Sequence, residues 1–509
     1  MKNCRYLLWI GLIVFVLVLG TGVFATSSPL ARAQDDYTYT VVGGVDEPQT
    51  YPDQEVDGIR FTALAYRSLY PGGMEFTATI TPPEGVTVSG ATLFYTFATG
   101  KPGRIQAERG ENPNEWIARP YEGRGLPPWH EIDVYWSART GDTLTQSQPV
   151  HAVYYDATRQ WFRAESEDML VYWYGMPEDL GRYVLEAMAH NHARYLEGFG
   201  EALPYRPMAV IFPPGPDWNE YKGDSSIDDT QLGFTGTIVG EAGSTIQRVR
   251  TLEPAEIRKD CLWNPENPTA EFQMQQAAST TTHEVAHLYQ QETGVQRGPA
   301  WWIEGQAMFF ETFEEYPVHE RLRTLANLRG GDLPTFQGAG PGGGALTASE
   351  DGCTHLIYDL GASFMSWLVD THGGMDTYRG VVEEIRHGAN LVQALETVTG
   401  QPFLDLENEW RAFLGVSPVA ADVLDPGLTL GAPAEPFFAE GDTVILPSAP
   451  FSQPIYTEPK VRSVAMGACF ASSKVTIRRA GHDGTVNWYE VDCTGMVGWM
   501  NQTQLVAPQ

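Results

Sequence analysis
The chain has 509 residues, 42% hydrophobic and 19% charged, which is globular composition and excludes a largely disordered, collagen-like or polytopic membrane protein. At about 150 residues per domain, that length predicts roughly three domains after removal of any leader. Lys+Arg 33 against Asp+Glu 64 gives a net charge of −31, which repels phosphate backbones and argues against nucleic acid as a partner.

Lys2 and Arg5 precede an apolar run from Leu7 to Ala25, and Ala31-Arg32-Ala33 follows, before the polar Gln34-Asp35-Asp36. This is the layout of a secretory signal peptide over 1–33, so the mature chain is expected to be secreted or extracytoplasmic, in the cell envelope. The apolar run is long enough to span a bilayer, so an uncleaved signal would leave an N-terminal membrane anchor. Removal of Cys4 with the signal leaves four of the five cysteines, an even number that permits disulfides outside the cell. Of the three possible pairings, sequence order favours Cys261 with Cys353 and Cys469 with Cys493. No C-x-x-C occurs, which argues against a cysteine-rich metal site.

Residues 34–157 alternate in short stretches broken by Gly/Pro turns: Thr77-Ala78-Thr79-Ile80, Ala91-Thr92-Leu93-Phe94-Tyr95, Ile132-Asp133-Val134-Tyr135-Trp136. This pattern predicts an antiparallel β-sandwich without catalytic residues, a scaffold. Its closing part, Trp129 to Tyr155 with a Gly141-Asp142 turn, resembles a fibronectin type III/Ig-like domain. Residues 158–415 change to mixed α and β, then to nearly all helix. Leu180–Leu196 has helical spacing, while Pro207–Phe212 and Gly236–Gly240 read as strands. Helices are expected over Leu356–His372, Met375–Arg386 and Leu404–Leu414, with Gly373-Gly374 and Gly388 as stops. Residues 416–434, rich in Pro, Ala and Gly, read as a linker. The alternating tail, 435–509, with Trp488-Tyr489-Glu490-Val491 and Gly498-Trp499-Met500, resembles a small bacterial Src-homology-three-like β-barrel. No internal repeat appears. The fold class expected is a multidomain α+β chain.

The chemistry lies in the middle. His283-Glu284-Val285-Ala286-His287 places two histidines at i and i+4 on one helix face, where both imidazoles can bind one zinc ion. Glu284, beside them, can accept a proton from an activated water. The segment Thr269–Glu292 lacks Gly and Pro and stops at Gly294, as a helix should. Catalytic zinc usually takes a third protein ligand. Gln290 and Thr293 stand where a metzincin would carry Gly and His, which excludes that class.

Downstream, Pro299-Ala300-Trp301-Trp302-Ile303-Glu304-Gly305-Gln306-Ala307 resembles the second zinc helix of the gluzincins, with Pro299 opening the helix. That resemblance implies Glu304 as the third ligand, one Zn²⁺ per chain, and a close approach of this helix to the motif helix through Gly305 and Ala307. The Trp301-Trp302 pair reads as core more than as substrate contact, although at adjacent helical positions one of the two is expected to face outward and could line a cleft. Tyr358-Asp359-Leu360-Gly361-Ala362-Ser363-Phe364 looks like the downstream segment of aminopeptidase N-like members, which makes Tyr358 the donor to the oxyanion; His355 is the alternative, as in thermolysin-like members. Leu404 to Leu414 resembles the last helix of bacterial peptidase MA-like proteins. The likeness covers about 160–415.

Aminopeptidase N relatives carry a Gly-x-Met-Glu-Asn strand that grips a free amine. Gly233 to Glu241 here could supply the edge strand for a peptide but lacks Met-Glu-Asn, and Glu241 is a weak substitute, so aminopeptidase specificity does not carry over. The resemblance implies a secreted zinc metallopeptidase acting on a peptide or protein. Two alternatives remain: a non-catalytic, zinc-stabilised cell-envelope binding protein tethered to wall material through its barrel, and a peptidoglycan amidase or peptidase.

Overall fold
The computed structural model describes residues 37–122, 125–214, 233–234, 240–249, 270–296, 298–311, 318–328, 330–331, 333–336, 356–419, 438–447, 452–456, 459, 465–470, 472–482, 487–493 and 496–505. The signal segment, Cys261, Cys353, His355 and most of the linker lie outside these residues. So do 236–239 of the expected strand Gly236–Gly240, and Gly240 itself is helical.

Alternation builds the sandwich. In Met74–Thr81, Met74, Phe76, Ala78 and Ile80 are buried and the residues between them are half-exposed, as one face of a sheet against a core requires. The first sheet runs Gln49–Thr50, Ile59–Ser68, Met74–Thr81, Glu115–Ala118, Glu108–Arg109, with Gln54–Val56 also on Ile59–Ser68. The second runs Thr143–Gln146, His130–Thr140, Gly90–Phe97, Pro102–Gln106, with Val150–Tyr154 also on His130–Thr140. Each of the three stretches predicted from alternation falls within one of these strands.

A third, mixed sheet follows the order Thr40–Gly43, Gln160–Glu165, Leu170–Trp173, Met208–Phe212, Ser244–Arg248, Gly233–Phe234. Met208–Phe212 is parallel to both neighbours and buried along its length. Such a strand is covered on both faces, which is why it reads as an unbroken apolar run. Met208, Val210 and Phe212 share the sandwich core, so that one face of this sheet lies against the sandwich. Trp129 stacks on Tyr172 at 5.4 Å between ring centroids, and the buried His130 Nε2 lies 2.9 Å from Ser244 Oγ. The expected domain border at 157 is therefore crossed by a strand pairing, Thr40–Gly43 on Gln160–Glu165, and by a shared core.

Among the described residues eight α-helices carry the rest: α1 Leu180–Phe199, α2 Ala270–Thr293, α3 Ala300–Glu311, α4 Val318–Leu328, α5 Leu356–Thr371, α6 Met375–Arg386, α7 Leu391–Thr399 and α8 Phe403–Leu414. Neither α4 nor α7 was expected, although α7 has a readable start: Asn390 caps it with Gln393 in a reciprocal capping box. Trp301 and Trp302 are both buried, contrary to the expectation that one faces out. On helix α3 the half-buried residues Ala300, Ile303, Glu304, Met308 and Glu311 share one face, while Trp301 packs on Phe336 and Trp302 on Tyr378. The close approach expected of Gly305 is made to α5 instead of the motif helix. A Cβ on Gly305 would stand 2.4 Å from Gly361 Cα, and one on Gly361 would stand 1.9 Å from the Trp301 carbonyl oxygen. The two glycines thus permit backbone contact between α3 and α5.

The C-terminal strands form one antiparallel sheet, in the order Thr443–Ile445, Lys474–His482, Asn487–Cys493, Met496–Asn501, Ser452–Tyr456, Ala465–Phe470. Cys469 and Cys493 are joined, as sequence order favoured. The expected closed barrel is not formed among the described residues. The first and last strands do not pair; the chain after Ile445 bonds instead to the turn that follows Phe470, through Leu446 N–H to the Ser473 carbonyl at 2.9 Å.

Candidate metal centre
Helices α2 and α3 bring the motif residues together. Tyr195 on α1 donates to the Thr282 carbonyl at 2.6 Å, and Gln247 on the strand Ser244–Arg248 donates to the Ala277 carbonyl at 2.8 Å, so α2 is pinned from two sides just before the motif. His283 Nε2 and His287 Nε2 each lie 3.4 Å from Glu304 Oε2, and one ligand atom from each residue lies within 4.8 Å of the others. Among the described residues this is the one cluster of three or more His, Cys, Asp or Glu that could hold a metal ion.

The far sides of the imidazoles are also held. His283 Nδ1 lies 3.0 Å from Glu311 Oε2, and Ser279 Oγ donates to Glu311 Oε1 at 2.9 Å. His287 Nδ1 lies 2.8 Å from Gln290 Oε1, whose amide donates to the Ile303 carbonyl at 2.8 Å. These carboxylate and amide oxygens can only accept, so both Nδ1 atoms carry hydrogen and both Nε2 atoms face Glu304. Gln290 also ties α2 to the turn of α3 that bears Glu304. Sequence reasoning missed Glu311 and Gln290. The signal was spacing: Glu311 lies seven residues after Glu304, on the same face of α3, and Gln290 lies three after His287.

Glu284 is 6% exposed, and its charge acts on both histidines and on Tyr358. The Tyr358 ring stacks on His283 at 5.8 Å, and its hydroxyl hydrogen-bonds the Glu304 carboxylate. The Glu304 charge, then burial and the Glu284 charge, push the Tyr358 phenol well above its ordinary range, which keeps it a donor at neutral pH. Burial acts to lower His283, but hydrogen bonds to Glu304 and Glu311 outweigh it and raise the imidazole well above its usual value. His287 is raised too, chiefly by Glu304 against its own burial. Burial acts to raise Glu304, yet His287 and His283 hold it well below the carboxylate range. Imidazoles pushed toward the cationic form and a carboxylate held ionised mark a point that favours positive charge. Two neutral nitrogens and one carboxylate oxygen are the donor set of a three-ligand zinc site with an open fourth position, so the residues fit that ion. Glu241, the weak candidate for a free-amine grip, is exposed, and its carbonyl accepts from Thr99 Oγ1 at 2.6 Å.

Replacing Gln290 by Ala or Glu311 by Gln should weaken zinc affinity about 10- to 100-fold without unfolding the chain, as measured by competition with a chromophoric chelator.

No family model matches the chain, and no curated protein matches it. Solved structures that resemble it include an aminopeptidase N family protein from Idiomarina loihiensis, 11% identical with a TM-score of 0.27, over 87% of this chain and 95% of that one. Another is an M1 zinc metallopeptidase from Deinococcus radiodurans, 11% identical with a TM-score of 0.20, over 77% of this chain and 95% of that one. Likeness this loose carries no argument about this chain.

Proposed function
We propose that this chain is an exported zinc metallopeptidase with His283, His287 and Glu304 as the metal ligands. The convergence of these three side chains from two helices, with each imidazole held from behind, carries the reading. Zinc, when bound, polarises the scissile carbonyl and brings a water toward ionisation near neutral pH. Glu284 accepts the proton of that water and passes it to the leaving amine. Tyr358 turns its hydroxyl from Glu304 to the oxygen on which negative charge develops. Glu311 and Gln290 hold the imidazoles in the tautomer that presents Nε2. Gly233–Phe234, antiparallel to Ser244–Arg248, is the last strand of the mixed sheet among the described residues, and a peptide would add beside it as a further strand.

The mature chain is expected to hold one zinc per chain and to cleave members of a mixed peptide library. A chelator should abolish cleavage and zinc should restore it. A chain that retains zinc but cleaves neither peptides nor peptidoglycan cross-links would be a binding protein instead.

A further inference from the structure
Helix α5 carries Tyr358 and Asp359 side by side. Asp359 is fully buried, and its Oδ2 lies 3.4 Å from Nη2 of Arg321, 3% exposed, on α4. Their helical neighbours Ile357, Leu360, Leu322 and Leu325 are buried hydrophobics. One turn further along α5, Ser363 Oγ lies 2.9 Å from His319 Nδ1 on α4 and accepts from Trp410 Nε1 on α8 at 3.0 Å. On another side, Gly361 rests on the Trp301–Gly305 backbone of α3.

A buried ion pair is a poor source of stability, since removing two charges from water costs about what their attraction returns. Its best-attested use is register, because apolar side chains let helices rotate and slide while a charge pair has one satisfied geometry. Successive residues point about 100° apart around a helix. With Asp359 fixed on α4 and Gly361 on α3, the rotation of α5 is set, and so is the direction of Tyr358 toward Glu304 and His283. We propose that Arg321 and Asp359 are positioning residues for Tyr358, their ion pair setting the rotation and register of α5 and so the place of the tyrosine hydroxyl. This rests on the reading of Tyr358 as the donor of the metal site.

The test is Arg321→Met/Asp359→Leu, which replaces the pair by apolar side chains of similar length. The double variant should fold with a thermal midpoint at or above that of the parent and bind one zinc per chain. Its KM should stay within about twofold while kcat falls about 10²-fold, the cost of a donor misplaced by roughly 1 Å. Adding Tyr358→Phe should then cost nothing further, although it lowers kcat of the parent by about 10²-fold. Parental kcat, or an equal cost of Tyr358→Phe in both backgrounds, would overturn the proposal. If the double variant does not fold, Asp359→Asn, which keeps the side-chain shape, is read in the same way. A parent that cleaves no peptide would instead refute the peptidase reading. The positioning claim is then decided by ¹⁹F NMR of 3-fluorotyrosine-labelled protein, with the Tyr358 resonance assigned by its absence in Tyr358→Phe. That resonance should shift on zinc addition in the parent and not in the double variant; the same shift in both would overturn the claim.

Discussion

Glu284→Gln is expected to bind a full equivalent of zinc and to lose on the order of 10³-fold in kcat. The three ligand side chains and the groups behind them are untouched by this change, so metal content should not move. What is lost is the buried carboxylate that follows His283 in the motif and whose charge acts on both histidines. Gln keeps the shape of Glu284 and removes only its ability to take a proton. Metal analysis alongside single-turnover hydrolysis separates the two quantities. Loss of zinc in this variant would move Glu284 from proton transfer to metal binding; full activity would remove it from the mechanism. Tyr358→Phe should cost less, about 10²-fold, because it deletes one of two groups that stabilise the developing charge.

Away from the metal cluster, stability should depend on pH through two buried groups that act in opposite directions. His130 is buried between the Pro127 carbonyl and Ser244 Oγ, and burial lowers its imidazole from 6.5 to about 4. Between pH 4 and 6.5 the unfolded chain binds this proton and the folded chain does not, so stability rises with pH across that window. Glu407 on α8 accepts from Phe336 N–H at 3.0 Å. Burial raises its carboxyl from 4.5 to about 7, outweighing that hydrogen bond and the Arg411 charge. Between pH 4.5 and 7 the folded chain holds the proton, so stability falls as pH rises.

Each contribution is about 3 kcal/mol over its window, and between pH 4.5 and 6.5 they offset one another. Glu407→Gln should therefore expose the His130 rise, gaining about 3 kcal/mol relative to the parent as pH goes from 4.5 to 7. His130→Gln should do the reverse from pH 4 to 6.5. Urea unfolding at pH steps through 4 to 8 measures both, and parallel curves for parent and variant would show that the group does not titrate in that range.

Much of the site was legible because its chemistry is local in sequence. Two histidines at i and i+4 must share a face of any helix they occupy, so His283 and His287 were paired before any tertiary contact was known. Glu304 came from the resemblance of Pro299 to Ala307 to a second zinc helix, and the fold places it with the two imidazoles in one cluster that could hold a metal ion. The sandwich strands and Met208–Phe212 were legible for a related reason: a sheet face, or a strand buried on both faces, writes its environment into every residue. Helix α4 was missed although Pro317 precedes it, Glu320 stands in its first turn and Gly330-Gly331 follow it. In helix α3 one tryptophan was expected to face outward, but the half-open face is taken by Ile303, Glu304, Met308 and Glu311, which leaves Trp301 and Trp302 on packed sides.

The sequence by itself determined which side chains could meet along one element: the paired imidazoles, Glu284 beside them, the alternating strands and the glycine stops. Tertiary structure alone decided how elements meet. Glu311 and Gln290 became partners of the histidines only when α3 was laid against α2, and Gly305 faced Gly361 only when α5 crossed behind. The sandwich shares its core with the mixed sheet instead of standing apart, and the C-terminal sheet stays open among the described residues. The physical reason is that periodicity fixes the direction of a side chain around its own axis, whereas crossing angles and strand partners depend on packing between segments far apart in the chain.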